Sequence, residues 1–430
     1  MTVAGSSGRL RVLVVAPFGP RHDNHHGGRV TAQMLRHLSE RHDVGLVYLR
    51  QPGHRPADHD VARRCEVVRQ VELEPAWLGR AWRHRLNVVA SPLNGNPTSV
   101  ANVRSRTLVA TVRRVAAEWG PDVIQIEHDV LAYIAPALAG HGRARLLVSH
   151  DPGLRGAEHL AALTRGRQRL AHRLDVVAWG RYWRATLPAL DAVVVFTSAD
   201  AQIVRSVVPE LDVATIPLGI DLPPEPLSAV GTEGGVVFVG GYAHQPNADA
   251  ALRLMRSIMP RVRVTHPGLP LVLVGDRPTE QMLAAAGHDD EVTGRVERVE
   301  PFVDAAAVVA LPIRVGGGMR VKLLEALAAG KAVVASPLAA AGLTVSNGDQ
   351  LVLAGSDDQF AAEILSLVAD PARREQLGRR AREWATATLG WEKRMPEYER
   401  LYVRLLGGRI PASPAAERAR PSPSADPVDQ

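Results

Sequence analysis

The sequence predicts an α/β protein built as two doubly wound halves, each a parallel sheet covered by helices. Three observations carry this expectation. Short apolar runs alternate with longer helical patterns along the chain, the rhythm of parallel strands joined by crossover helices. The rhythm breaks at residues 216–235, IPLGIDLPPEPLSAVGTEGG, whose Pro and Gly suit neither helix nor strand. It then restarts, and residues 308–336 read strand, three glycines, amphipathic helix, strand.

In the first half, Leu10 to Ala16 reads as a buried strand, Val30 to Leu38 as a helix and Val44 to Leu49 as the next strand. Gly27 and Gly28, which follow His25 and His26 before that helix, could admit a diphosphate close to the backbone. Val123 to Ile126, Leu146 to Ser149 and Ala192 to Phe196 are further strands. Polar groups follow each of them: Glu127, His128 and Asp129; His150 and Asp151; Thr197, Ser198 and Asp200. Carboxyl ends of neighbouring parallel strands share one crevice, so these clusters are expected to converge. In the second half, Val236 to Val239 is a strand ending at Gly240 and Gly241. Asn247 to Met259 is a helix, and Leu271 to Val274 and Val292 to Val296 are strands, the latter with Gly294 inside it. Val308 to Ile313 leads into the glycine loop. Helices Asp358 to Val368, Ala372 to Thr386 and Trp391 to Leu406 close the fold, and the Pro-, Ser- and charge-rich end from about Gly408 predicts disorder.

The glycine loop carries the chemistry. Gly316, Gly317, Gly318 and Met319 run into a helix bearing Arg320, Lys322 and Glu325, which stops at Gly330 before the strand Ala332 to Ala335. Glycines allow close approach, and backbone N–H groups at a helix start attract an anion. Arg320 and Lys322 oppose the helix dipole there, a placement that an anionic guest would reverse into a gain. A carboxylate at Glu325 can accept from two sugar hydroxyls together.

Composition bounds the rest. A chain of 430 residues with 46% hydrophobic and 22% charged content is globular and long enough for two cores. The single Cys65 excludes a disulfide framework and a Cys-based zinc site, and fits a reducing compartment. MTVAGSSGRL lacks a signal peptide's apolar run, and no long uncharged span appears, so the expected location is cytoplasmic or peripheral at a membrane's inner face. In residues 1–215, 28 arginines against 19 carboxylates leave +9, and the overall +6 puts the remainder at −3. Much of the basic charge lies in Arg165 to Arg184, interleaved with Trp179, Tyr182 and Trp183, with a smaller cluster from Trp77 to Arg85. Such a helix either meets anionic lipid or is an ordinary arginine surface with its Trp in the core. No nucleic-acid motif accompanies it. The required Gly-x-Gly-x-x-Gly of a dehydrogenase is absent from APFGPRHDNHHGG. Asp58-His59-Asp60 imitates a metal-binding Asp-x-Asp, but lies in a polar loop rather than after a buried strand; no metal site is expected.

The glycine-loop segment resembles the donor-binding signature of family 4 glycosyltransferases, and the likeness extends over most of the chain. It implies the GT-B fold: two Rossmann-like domains facing a cleft, with a C-terminal helix crossing back to the first. Residues 1–215 would be the acceptor domain, 216–235 the linker, 236–390 the nucleotide-sugar donor domain, 391–407 the returning helix and 408–430 a disordered tail. It also implies transfer from a nucleotide-diphosphate sugar, with UDP and GDP both open, to a hydroxyl acceptor, with retention and without a resident cofactor. Members usually carry two glutamates eight positions apart; Glu325 matches the second, which meets the ribose, while Gly317 replaces the first, which touches the sugar. The family's Arg and Lys after the donor domain's first strand are missing from GGYAHQPN, and Arg320 and Lys322 are expected to take their place. His150, in VSHDPG, matches a histidine near the reaction centre. Gly27, Gly28, Gly240 and Gly241 match positions near the donor phosphates, and Arg295 and Val296 match the base side. Glu127, His128 and Asp151 are expected as acceptor or sugar contacts. Two alternatives use the same architecture: a nucleotide-sugar epimerase with Glu127 and Asp151 as acid and base, and a non-catalytic sugar-nucleotide-binding protein.

Overall fold

Every strand among the described residues runs parallel, in two sheets. The structure is a computed structural model and describes residues 8–22, 26–73, 96–227, 234–316 and 320–408. In the first sheet β1 (Arg11–Ala16), β2 (Asp43–Arg50), β3 (Val67–Glu72), β4 (Val123–Glu127), β5 (Ala144–Ser149), β6 (Ala192–Val195) and β7 (Val213–Thr215) lie in the order β3-β2-β1-β4-β5-β6-β7. The second contains β8 (Val236–Val239), β9 (Leu271–Val274), β10 (Asp290–Gly294), β11 (Val308–Leu311), β12 (Val333–Ala335) and β13 (Val352–Leu353), ordered β10-β9-β8-β11-β12-β13. Each order reverses once, between β1 and β4 and between β8 and β11, which opens a crevice at the strands' carboxyl ends.

Continuous apolar runs form these strands because both faces of each sheet are covered. On the first sheet Val12, Val14 and Leu46 face a layer containing the returning helix Trp391–Leu405, while Leu13, Val15, Ile124 and Ile126 face the opposite core. The strands that the apolar pattern missed are marginal ones. β3 reads VVRQVE and is largely open to solvent, β7 has three residues and β13 two.

Three local expectations need correction. The helix expected over Asn247 to Met259 is α-helical only through Gln245–Arg253, then widens into a π-turn at Leu254–Ile258 before Met259–Thr265. Pro260 lacks an N–H and its ring would strike the preceding turn's carbonyl, and the wider turn accommodates it. The strand expected over Val292 to Val296 lies at Asp290–Gly294 and ends where Gly294 takes a φ of 66°. Trp179, Tyr182 and Trp183 of the basic helix Gly166–Thr186 are buried in the first domain's core. The cluster Trp77 to Arg85 lies outside the described residues.

After β7 the chain crosses the segment that the sequence marks as a linker. Ile216, Leu218 and Ile220 are buried there, and Ile220 bridges to Gly390 at the start of the returning helix. Asp221 accepts from Arg36 (2.7 Å) and lies 3.1 Å from His37 Nε2 on the first helix, His26–Arg41. Gln33 of that helix accepts from Trp391 Nε1 at 3.3 Å. These ties hold the returning helix and the crossing segment against the first domain, which fixes how the two crevices face each other.

Candidate active site

The two crevices meet. The Gly316 N–H donates to His159 Nδ1 across the gap at 3.2 Å, and Arg29 donates to Glu325 Oε1 at 2.7 Å. Between them, Arg155 and Thr197 of the first domain and Gly316, Arg320 and Leu338 of the second enclose a small polar gap.

On the second domain's side, close backbone packing builds a cationic wall. Gly275 has a φ of 149°, and a Cβ there would stand 1.8 Å from the Gly240 carbonyl oxygen, so only glycine lets the ends of β8 and β9 approach. Asn247 donates to the Gly241 carbonyl (2.9 Å) and accepts from Lys322 Nζ. Lys322 is 7% exposed, its ammonium 4.7 Å from the Phe238 ring centroid. Burial first, then the neighbouring Arg320, pull it down to about 7. His244 is held near 4 by burial and the same two cations, and is therefore neutral. Arg320 precedes the helix Val321–Ala328, with its guanidinium beside Gly316 and within the field of Asp151 and Asp200. Arg155 pairs with the buried Asp200 at 3.0 Å. Arg155 and Arg320 line the gap and Lys322 is buried close to Arg320, so positive potential is focused there, the condition for holding a diphosphate.

The first domain's side is a wall of imidazoles and carboxylates at the ends of β4 and β5. His150 Nε2 lies 2.6 Å from Glu127 Oε2, and its ring stacks on His128 with centroids 3.9 Å apart. Burial lowers His150 to about 3, so the ring is neutral. His128 holds a φ of 67°, a conformation costing a non-glycine residue about 1–3 kcal/mol. Its ring packs under Gly27, where a Cβ would come within 2.8 Å of it. Burial lowers its basicity too, and its Nε2 is buried with no hydrogen-bond partner. Beside these rings lies a cavity of about 320 Å³, walled by Phe18, Val103, Val130 and Trp179, with His128, Asp129 and Asp151 also lining it. Ser149 donates to Asp129 Oδ2 at 2.7 Å, while Asp129 Oδ1 is buried without a partner. Burial raises Asp129 to about 7. Asp151 opens into the cleft, and the surrounding walls raise it to about 6 against the pull of Arg320.

The expected residues divide accordingly. His128 and Asp151 line the cavity, and Gly316 and Arg320 line the gap; His150 and Gly27 pack on His128, Gly240 and Lys322 meet Asn247, Glu325 pairs with Arg29, and Gly28 and Gly241 are chain neighbours of Gly27 and Gly240. Glu127 needs correction as a direct sugar contact: it has no exposed surface, and Gln125 and His150 occupy its two oxygens. Arg295 and Val296 follow β10 rather than belonging to it. Arg295 is exposed, and Val296 packs toward the second domain's core, so only its backbone is placed to meet a base. Gly317, Gly318 and Met319 lie outside the described residues. Asp58 and Asp60 gather with His22 in a group that could hold a cation. However, Asp58 already pairs with Arg21 at 2.9 Å, and the group lines neither cleft space. Sequence reasoning missed Arg29, Arg155, His159, Asn247 and the cavity role of Asp129. Arg29 adjoins Gly27 and Gly28, and Asn247 sits in the GGYAHQPN run, so position marked both, but their side chains carried no pattern.

Two parallel-sheet domains tied by a returning helix and meeting at a cationic cleft have the GT-B architecture. Residues 27–223 match Glycosyltransferase Family 4 and residues 233–370 match Glycosyl transferases group 1. The chain belongs to the family 4, or group 1, glycosyltransferases. It is 25% identical over 320 residues to glycogen synthase of Mycobacterium tuberculosis, covering 70% of this chain and 74% of that protein. It is also 25% identical over 388 residues to the GDP-mannose-dependent alpha-(1-6)-phosphatidylinositol monomannoside mannosyltransferase of Mycolicibacterium smegmatis, covering 81% and 94% respectively. Among solved structures, sucrose-phosphate synthase from Thermosynechococcus elongatus superposes with a TM-score of 0.69 at 17% identity, over 93% of this chain and all of that one. This last likeness concerns the fold.

Proposed function

We propose that this glycosyltransferase moves a sugar from a UDP- or GDP-linked donor to a hydroxyl acceptor, with retention and with the leaving charge met by side chains. The observation that carries the proposal is the meeting of Arg155 and Arg320 across the interdomain gap, with Lys322 buried close to Arg320. In this reading the diphosphate lies between Gly316, Gly240 and the cations, and Glu325 takes the ribose hydroxyls. Arg29 pairs with Glu325 at 2.7 Å, so in this reading the ribose hydroxyls share or take over a carboxylate that Arg29 orients. Family membership supports retention, in which the departing phosphate can take the acceptor's proton on the same face. The relative named above uses GDP-mannose; UDP remains equally compatible with a base read through backbone.

Calorimetry with UDP, GDP and inorganic phosphate tests the donor assignment. Glu325→Ala should weaken the cognate nucleotide about tenfold, the loss of a charge-assisted hydrogen bond, and leave phosphate unchanged. Equal losses for both ligands would remove Glu325 from the ribose.

The acceptor belongs in the cavity beside His128. Phe18 and Trp179 supply faces for a sugar ring or an apolar body, and Asp129 and Asp151 supply hydroxyl acceptors. Trp179 lies on the helix Gly166–Thr186, which also carries an outward stripe: Leu170 is 61% exposed, Leu174 36% and Val177 49%, among the exposed Arg167, Arg169, Arg173, Arg181 and Arg184. Among the described residues no helix is long and apolar enough to cross a membrane. This stripe fits the headgroup layer of an anionic membrane instead, with arginines on phosphates and the aliphatic chains below. The enzyme should co-sediment with vesicles containing an anionic phospholipid. Replacing Leu170, Leu174 and Val177 by serine should lower that partitioning at least about tenfold. Absence of salt-sensitive binding to these vesicles would return the helix to ordinary surface.

A further inference from the structure

A line of buried polar groups runs from the returning helix to His150. Tyr402 O–H donates to Gln125 Oε1 at 2.6 Å, Gln125 Nε2 donates to Glu127 Oε1 at 2.6 Å, and Glu127 Oε2 meets His150 Nε2 at 2.6 Å. Tyr402 is 1% exposed and Gln125 and Glu127 are 0%. The line crosses an otherwise apolar layer between the first sheet and the returning helix, among Val14, Met34 and Leu401. Buried polar groups in such a layer destabilise the fold unless each is satisfied, and a satisfied series enforces one arrangement.

We infer that Glu127, Gln125 and Tyr402 are positioning residues for His150, a relay by which the returning helix sets the tautomer and ring plane of the imidazole at the reaction centre. The inference deepens the reading of His150 as a reaction-centre residue and rests on it. Burial pushes Glu127 toward its acid form, and both donors in the line point toward it and favour the carboxylate. A carboxylate accepts the Nε2–H of His150, which leaves the Nδ1 lone pair to accept from a substrate hydroxyl. Gln125 and Glu127 stand two residues apart on β4 and so share one face, whereas Tyr402 arrives from a helix nearly three hundred positions later. Only correct seating of that helix completes the line, so His150 becomes competent when the chain has crossed back. Gln125 also lies 3.0 Å from Met34 Sδ, which limits its amide to one orientation.

The test uses the full chain and three readouts. With ¹⁵N-histidine labelling, the resonances lost in His150→Ala identify the ring, whose shifts in the wild type should report the Nε2–H tautomer and in Glu127→Gln should report a tautomer mixture. In steady-state transfer, Glu127→Gln should lower kcat about 10–100-fold with donor KM within about threefold, and should abolish the acid limb of the kcat profile. That limb belongs to Glu127, which burial raises to about 7. Tyr402→Phe should keep the limb and move it upward by about half a pH unit, because the carboxylate loses remote support. Should Tyr402→Phe fail to fold, Gln125→Met interrupts the same link from the strand, and the same upward shift is expected. An unmoved limb in a folded Tyr402→Phe or Gln125→Met, or an unchanged His150 tautomer in Glu127→Gln, overturns the relay. If instead His150→Ala transfers sugar at the wild-type rate while Glu127→Gln still changes the tautomer, the relay stands and the assignment of His150 to the reaction fails.

Discussion

Replacing Arg320 and Lys322 together by methionine should lower kcat/KM for transfer by about 10³-fold or more, since each removed donor to a developing negative charge costs about 10²–10³. Arg320 lines a gap closed by both domains and Lys322 is buried close to it, where a charge is screened less than in open water. Lys322 also makes the loss pH-dependent. Burial and the neighbouring Arg320 hold it near 7, and a bound diphosphate raises that value by opposing charge. The sign follows. Below 7 the ammonium is already present and affinity is flat. Above 7 binding must take up a proton, so nucleotide affinity should fall about tenfold per pH unit until the pKa of the complex is reached. Calorimetry at pH 8 in buffers of different ionisation enthalpy should detect that proton in the wild type and not in Lys322→Met. Methionine keeps the packing against Phe238, so loss of fold is not the expected cause; Asn247 keeps its bond to Gly241, and its unpartnered Oδ1 costs about 1–3 kcal/mol. Wild-type diphosphate affinity in the double variant would remove both residues from the phosphate site.

The fold was legible wherever burial on both faces imposed a continuous apolar run. β1, β4, β5, β6, β8 and β11 read directly from sequence for that reason, and the Gly- and Pro-rich segment marked the change from one sheet to the next. β3 was not legible, because an edge strand with one wet face resembles a polar connection. Glycines marked the cleft because they stand where backbones approach, as at Gly27 over His128 and at Gly240, although its partner Gly275 carried no pattern in the sequence. What stayed hidden was partnership. Nothing local to Glu127 says that its oxygens turn inward to Gln125 and His150, because that depends on the parity of β4 and on a helix from the far end of the chain. Likewise the arginine helix announced its charge, whereas its exposed leucines became visible only when Trp179 and Trp183 were seen to point the other way.

His150→Ala should lower kcat by about 10²-fold, the scale of a positioned polar contact in the transition state, while leaving the affinity for free nucleotide within about twofold. The ring is fixed between His128 and Phe196, whose centroid stands 5.2 Å away, and burial keeps it neutral. In the proposed reaction it contributes as an oriented hydrogen-bond acceptor rather than as a charge, and its loss should appear in kcat rather than in diphosphate binding. Removing it has a structural cost that must be separated from the catalytic one. Glu127 Oε2 would be left buried without its partner, a penalty of about 1–3 kcal/mol, so thermal stability should drop in His150→Ala. Adding Glu127→Gln removes the stranded carboxylate, and the double variant should regain part of the lost stability without regaining transfer. Recovery of both together would mean that His150 serves the fold alone, and full kcat in the single variant would exclude it from the reaction.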